Sequence, residues 1–152
     1  RLHDMRILIS ACLLGACCRY DGKSKQFAAA LTLRREHELV PVCPEQLGGL
    51  PTPRPPCERV GERVISAEGV DRTDEYDRGA QEAARLYDLL ACDCAVLKAR
   101  SPMCGRDRIY DGTFSGTLMA GDGRLAALLR GRGVKVYTED EIEIALLNKL
   151  GE

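Results

Sequence analysis

The sequence predicts one α/β domain, a mostly parallel sheet with helices on both faces in a Rossmann-like, doubly wound arrangement. Four short apolar runs, at residues 6–11, 39–42, 95–97 and 134–137, are too brief for helices and rich in branched side chains. Helical patterns fall between them, as expected when parallel strands are joined by crossover helices. No repeat, low-complexity tract or linker divides the 152 residues, a length that suits a single core.

The elements follow in order. Arg6-Ile7-Leu8-Ile9-Ser10-Ala11 reads as the first strand. A loop with Gly15 and Asp21-Gly22 leads to a helix over 25–37, with Phe27, Ala28, Ala30 and Leu31 facing inward. Residues 39–42 form the second strand. Residues 43–58 hold five prolines and adjacent glycines, so they are expected to be irregular. A small hairpin or edge strand is expected over 60–66. Thr73 is the expected N-cap of a long helix running to Cys92, whose stripe of Tyr76, Ala80, Ala83, Ala84, Tyr87, Leu90 and Ala91 has helical spacing. Residues 95–97 make the third strand and 100–116 a second irregular stretch. Residues 125–130 are helical, stopped by Gly131 and Gly133. Residues 134–137 are the fourth strand. Thr138 and Glu141 form a capping box opening a last helix that buries Ile142, Ala145, Leu146 and Leu150.

Composition narrows the function. Twenty-two basic residues against 23 acidic ones leave a formal charge of -1, which argues against a nucleic-acid partner. Arg130-Gly131-Arg132-Gly133 looks like an RNA-binding fragment but reads better as a helix end and turn. No apolar run approaches the roughly 20 residues that span a bilayer, and no signal-peptide pattern precedes Met5. A cytoplasmic location is expected. Residues 1–4 are expected to be an extension or tag remnant, with the domain over 5–152.

The chain has eight cysteines and two histidines. Any metal site is therefore sulfur-rich, either an iron–sulfur cluster or a zinc–thiolate centre. Ligands in open α/β sheets bind beyond the carboxyl ends of strands. Cys12, Cys43 and Cys104 follow the first three strands and are expected to converge there. A shared metal centre and plain burial both satisfy that placement. Three thiolates on a cubane would leave one iron open to act as a Lewis acid; a fourth, from Cys17, would close it. Glu45 and Ser101 flank these cysteines as a candidate acid–base group and a candidate positioning hydroxyl. Arg19, Tyr20, Asp21 and Arg54 offer donors and an aromatic face to a planar ligand. Ser10 is expected to be buried and hydrogen-bonded. Cys92 and Cys94, Cys18 and Cys57 read as structural, and His3 and His37 are too isolated to be ligands.

Together these segments resemble the DUF523 family, which includes the thiouracil desulfurases. The resemblance rests on Ser10-Ala11-Cys12-Leu13-Leu14-Gly15, Arg19-Tyr20-Asp21-Gly22, Val42-Cys43-Pro44-Glu45-Gln46-Leu47-Gly48-Gly49-Leu50 with Pro53-Arg54, and Leu97-Lys98 with Ser101-Pro102-Met103-Cys104-Gly105. It implies a [4Fe–4S] cluster held by Cys12, Cys43 and Cys104, with Glu45 and Ser101 as the catalytic pair and Tyr20, Asp21 and Arg54 at the substrate. The implied activity is non-redox removal of sulfur from 2-thiouracil, or a related thiolated pyrimidine, to give uracil and hydrosulfide. Met103 departs from the family, which has serine there. A non-catalytic zinc or iron–sulfur module, structural or electron-transferring, is the competing expectation.

Overall fold

The computed structural model describes residues 5–142. Four strands, β1 (Arg6–Ser10), β2 (Glu38–Val42), β5 (Cys94–Leu97) and β8 (Val136–Thr138), form one sheet in the order β2-β1-β5-β8. Every pairing in it is parallel: Ser10 stands opposite Val42, Ile9 opposite Val96 and Leu97 opposite Thr138. Pro41 is tolerated because β2 is the edge strand and pairs with β1 only. Two antiparallel hairpins stand apart from this sheet, β3 (Cys57–Val60) with β4 (Arg63–Ser66) and β6 (Arg108–Tyr110) with β7 (Leu118–Ala120).

Alternate side chains of each central strand go to opposite faces, and each face has its own core. Leu8, Ala95, Leu97 and Val136 pack under α3 (Thr73–Leu89) and α4 (Arg124–Gly131). Ile7, Ile9, Cys94 and Val96 pack under α1 (Ala28–Leu33) and Ile142, which follows the short α5 (Glu139–Glu141). The doubly wound expectation therefore holds. The capping box at Thr138 and Glu141 is present. The expected burial of Ala145, Leu146 and Leu150, and the reading of residues 1–4, lie outside the described residues.

Several boundaries differ from expectation for identifiable reasons. Helix α1 is a six-residue element rather than spanning 25–37, and it buries Ala29, Ala30 and Leu33 while Ala28 is exposed. Thr73 is not the N-cap; Arg72 precedes the helix, and the Thr73 hydroxyl instead accepts the Val64 N–H at 2.9 Å. Helix α3 stops at Leu89, and Ala91 takes a left-handed turn (φ 52) into β5. The proline-rich stretch contains a helical turn, α2 (Pro44–Leu47), because proline at the first helical position lacks only an N–H the helix would leave unpaired. The stretch after β5, expected to be irregular, contains the β6–β7 hairpin.

Helix α2 lies against α3 backbone to backbone. A Cβ on Gly79 would stand 2.0 Å from the Pro44 carbonyl oxygen, and one on Gly48 would stand 2.0 Å from that of Glu75. Alanine in place of a mid-helix glycine ordinarily adds about 1 kcal/mol of stability. Here the methyl must push α2 away, and overpacking costs about 1–3 kcal/mol or more. Gly79→Ala is therefore expected to lower Tm by several degrees, roughly 4–8 °C for a net loss near 2 kcal/mol. Pro44 and Glu45 ride on α2, so the same displacement should carry both residues with it.

Candidate active site

The carboxyl ends of β1, β2 and β5 open onto a cavity of about 400 Å³. From β1 the chain passes to β2 on one side and later to β5 on the other, so the sheet order switches between β1 and β5. Such a switch point leaves a crevice in which ligands bind. Cys12 reaches it from the 3-10 turn Ala11–Leu14 after β1, Cys43 from the position just before α2 after β2, and Cys104 from the turn after β5.

Hydrogen bonds hold the Cys104 turn. The Ser101 hydroxyl accepts the Cys104 N–H at 2.7 Å, and the Ser101 carbonyl accepts the Gly105 N–H at 2.9 Å. Ser10 acts from the neighbouring strand. Its hydroxyl accepts the Lys98 N–H at 2.9 Å and donates toward Cys104 Sγ at 3.6 Å. Met103 is fully buried in the core under α3, away from the cavity. The departure from the family pattern at this position therefore alters packing and leaves the cavity wall untouched.

The thiols are kept protonated by their surroundings. Burial, with Glu45 adding to it, pushes Cys12 up to about 11 and Cys104 well above the ordinary thiol value. Cys43 is raised first by its hydrogen bond with Cys18 and then by burial. Such thiols are poor free nucleophiles; their thiolates form readily only where a cation replaces the proton. The donor set is soft, lines one cavity and is buried at Cys12 and Cys104 and partly buried at Cys43, which fits an iron–sulfur centre. Among the described residues no three His, Cys, Asp or Glu side chains stand close enough to share one metal ion. A cubane is a larger body with irons at separate corners, so its thiolates stand further apart than those around a lone zinc.

Glu45 sits on the first turn of α2 beside Cys43, which donates to its carboxylate at 3.9 Å. Arg54 Nη2 approaches the same carboxylate at 3.9 Å, the Arg54 side chain being 5% and that of Glu45 15% exposed. Burial raises the Glu45 carboxyl above the usual carboxylate range, and Arg54 opposes the shift. Arg54 is anchored in turn. Its guanidinium donates to the Pro51 carbonyl and the Thr52 hydroxyl, and its N–H donates to the Tyr20 carbonyl at 2.8 Å.

The structure brings Cys12, Cys43, Cys104, Glu45, Ser101, Tyr20 and Arg54 to one cavity. It does not bring Asp21. That carboxylate is exposed, accepts the Lys23 N–H at 2.9 Å and pairs with Arg19 at 3.5 Å, the work of a turn-forming aspartate. Cys17 is exposed and lies outside the lining, while its neighbour Cys18 is buried within it and hydrogen-bonded to Cys43. Nothing in a vicinal cysteine pair says which member turns inward. Cys57 and Tyr76 also line the cavity, although the sequence read them as structural and core residues. Lys98 faces it with its ammonium paired to Glu139 at 2.8 Å. Glu58, Tyr110 and Phe114, from the two hairpins, complete the wall. Cys92 and Cys94 are buried and lie outside the lining. Arg130 and Arg132 are engaged in ion pairs with Asp107, Asp122 and Asp88.

Known proteins resemble this chain over most of its length. The sequence model of the 2-thiouracil desulfurase family matches residues 7–141. A Bacillus subtilis (strain 168) protein described as the uncharacterized protein YbbK is 38% identical over 146 residues, covering 90% of this chain and 97% of its own. A solved structure of a [4Fe–4S]-dependent thiouracil desulfidase superposes with a TM-score of 0.85 at 47% identity, covering 97% of this chain and 99% of that one.

Proposed function

The chain belongs to the 2-thiouracil desulfurase family, and from that premise we propose how its cavity performs the reaction. The enzyme depends on a [4Fe–4S] cluster and replaces the sulfur of 2-thiouracil with oxygen from water, giving uracil and hydrosulfide. Cys12, Cys43 and Cys104 are the residues that would hold the cluster. The observation that supports this most is their convergence, from the ends of three strands, on one sheltered cavity. When bound, the cluster would supply a soft Lewis acid, a match for a thiocarbonyl sulfur.

The remaining work falls to the protein. Glu45 is buried beside Cys43 and has a raised carboxyl, so it accepts a proton readily from a water directed at C2. Arg54 stands beside that carboxylate and favours its charged form, opposing the rise that burial causes. Ser101 receives an N–H on its oxygen, which leaves its own proton to donate to the water or to the ring. Tyr20 lines the mouth with Arg19 stacked over its ring at 5.4 Å. A volume near 400 Å³ is at the small end for ligand sites and suits a free pyrimidine base better than a base carried on RNA. No described helix is long and apolar enough to cross a membrane.

Anaerobic reconstitution with iron and sulfide followed by a uracil-release assay tests the reading. Turnover of 2-thiouracil supports it; a loaded protein that releases no uracil removes it. Cys17→Ser is expected to retain full iron content, since that side chain points to solvent. The second reading, a closed non-catalytic cluster, has one observation in its favour: Cys18 is buried in the cavity lining, and its carbonyl accepts the Cys43 thiol at 3.6 Å. Iron loss in Cys18→Ala together with an inert wild type would select it.

A further inference from the structure

One wall of the cavity comes from the β6–β7 hairpin, which contributes Tyr110, Phe114 and Gly116. Phe114 is 39% exposed and has a left-handed backbone, φ 55. Both features are unfavourable for a large apolar residue, and backbone strain of this kind concentrates where a ligand is clamped. The surroundings maintain it. Glu58 of β3 is buried, and its Oε1 accepts the N–H of Gly112 at 3.0 Å and of Phe114 at 3.1 Å. Gly112 (φ 95) comes so near β3 that a Cβ there would stand 2.5 Å from the Arg59 carbonyl oxygen. On the other side, Thr113 hydrogen-bonds to Asp111 and to Ser115 at 2.6 Å, and Ser115 to Thr117 at 2.9 Å. The loop is thus pinned from both sides with its aromatic ring set at the cavity.

A thiolated pyrimidine is flat. Its edges carry the sulfur and the hydrogen-bonding groups, so only its faces are available for apolar contact. An aromatic side chain matches such a face and loses little entropy in doing so. Building on the desulfurase reading above, we propose that Phe114 supplies the surface against which the pyrimidine ring stacks. Glu58 is the positioning residue that holds Phe114 there.

In the reconstituted enzyme, Phe114→Ala is expected to raise KM for 2-thiouracil roughly tenfold, the loss of one base–aromatic contact. Its kcat should stay within about twofold and its cluster absorbance unchanged. Phe114→Tyr should behave as wild type. Glu58→Ala should reproduce the KM rise, whereas Glu58→Gln, whose amide oxygen still accepts both N–H groups, should not. Should Glu58→Ala fail to fold, Glu58→Gln and the two Phe114 variants decide the matter. An unchanged KM in Phe114→Ala, or a fall in kcat alone, overturns the proposal. Calorimetric titration of 2-thiouracil into wild type and Phe114→Ala separates this inference from the reading it rests on. A roughly tenfold weaker Kd in the variant supports the stacking role even if no uracil is released. Equal Kd values overturn it, and absence of binding to the wild type overturns both.

Discussion

Replacing Cys104 with serine is expected to leave anaerobically reconstituted protein without its visible iron–sulfur absorbance and without measurable uracil release. Cys104 is the most deeply buried of the three proposed ligands, 3% exposed, and its backbone is held by Ser101. Burial, with Glu45 adding to it, pushes its thiol well above the ordinary value, so a thiolate is favoured there only where a bound cation replaces the proton. A serine hydroxyl is a far weaker acid, and its alkoxide is a harder ligand than a thiolate, so it does not make that exchange. With two protein ligands the cubane should not assemble. The fold should persist, because the substitution changes one atom at a strand-end turn, and the apo variant should melt within a few degrees of apo wild type. Cys92→Ser, which changes a buried cysteine outside the cavity lining, is the matched control and should load normally. A Cys104→Ser protein that binds iron and sulfide at wild-type stoichiometry would sink the three-cysteine assignment.

Glu45→Gln is expected to lower kcat by about 10²–10⁴, the usual contribution of a positioned acid–base group, with iron content unchanged. Glutamine keeps the shape and can still accept from Arg54, so binding should be nearly preserved and the loss should fall on the chemical step. Ser101→Ala, by contrast, removes the acceptor of the Cys104 N–H as well as a donor, and should lower both activity and cluster retention. A glutamine variant that releases uracil at the wild-type rate would remove Glu45 from the mechanism and leave water activation to the metal alone.

Much of the fold was legible because its determinants are local. Parallel strands buried on both faces read as unbroken apolar runs, and β1 and β5 do so. The capping box at Thr138 and Glu141 needs only four residues. The β6–β7 hairpin was not legible. Its strands are three residues long, one is mostly polar, and the loop they carry is held by Glu58 from far earlier in the chain. Thr73 shows the same limit: its hydroxyl looks like a cap, but a hairpin N–H claims it. Pro44 looked like a breaker because its benefit depends on where the helix begins.

By itself, the sequence determined the parallel α/β order and therefore the edge of the sheet at which the three cysteines gather, since strand direction and crossover handedness leave few alternatives. It also determined the family, through motifs strung along nearly the whole chain. Tertiary structure alone decided that Cys18 turns inward and Cys17 outward, that Asp21 shapes a turn, and that Phe114 reaches the cavity. Those outcomes depend on which distant group satisfies each buried donor and acceptor, a pairing that arises only once the sheet and its hairpins have come together.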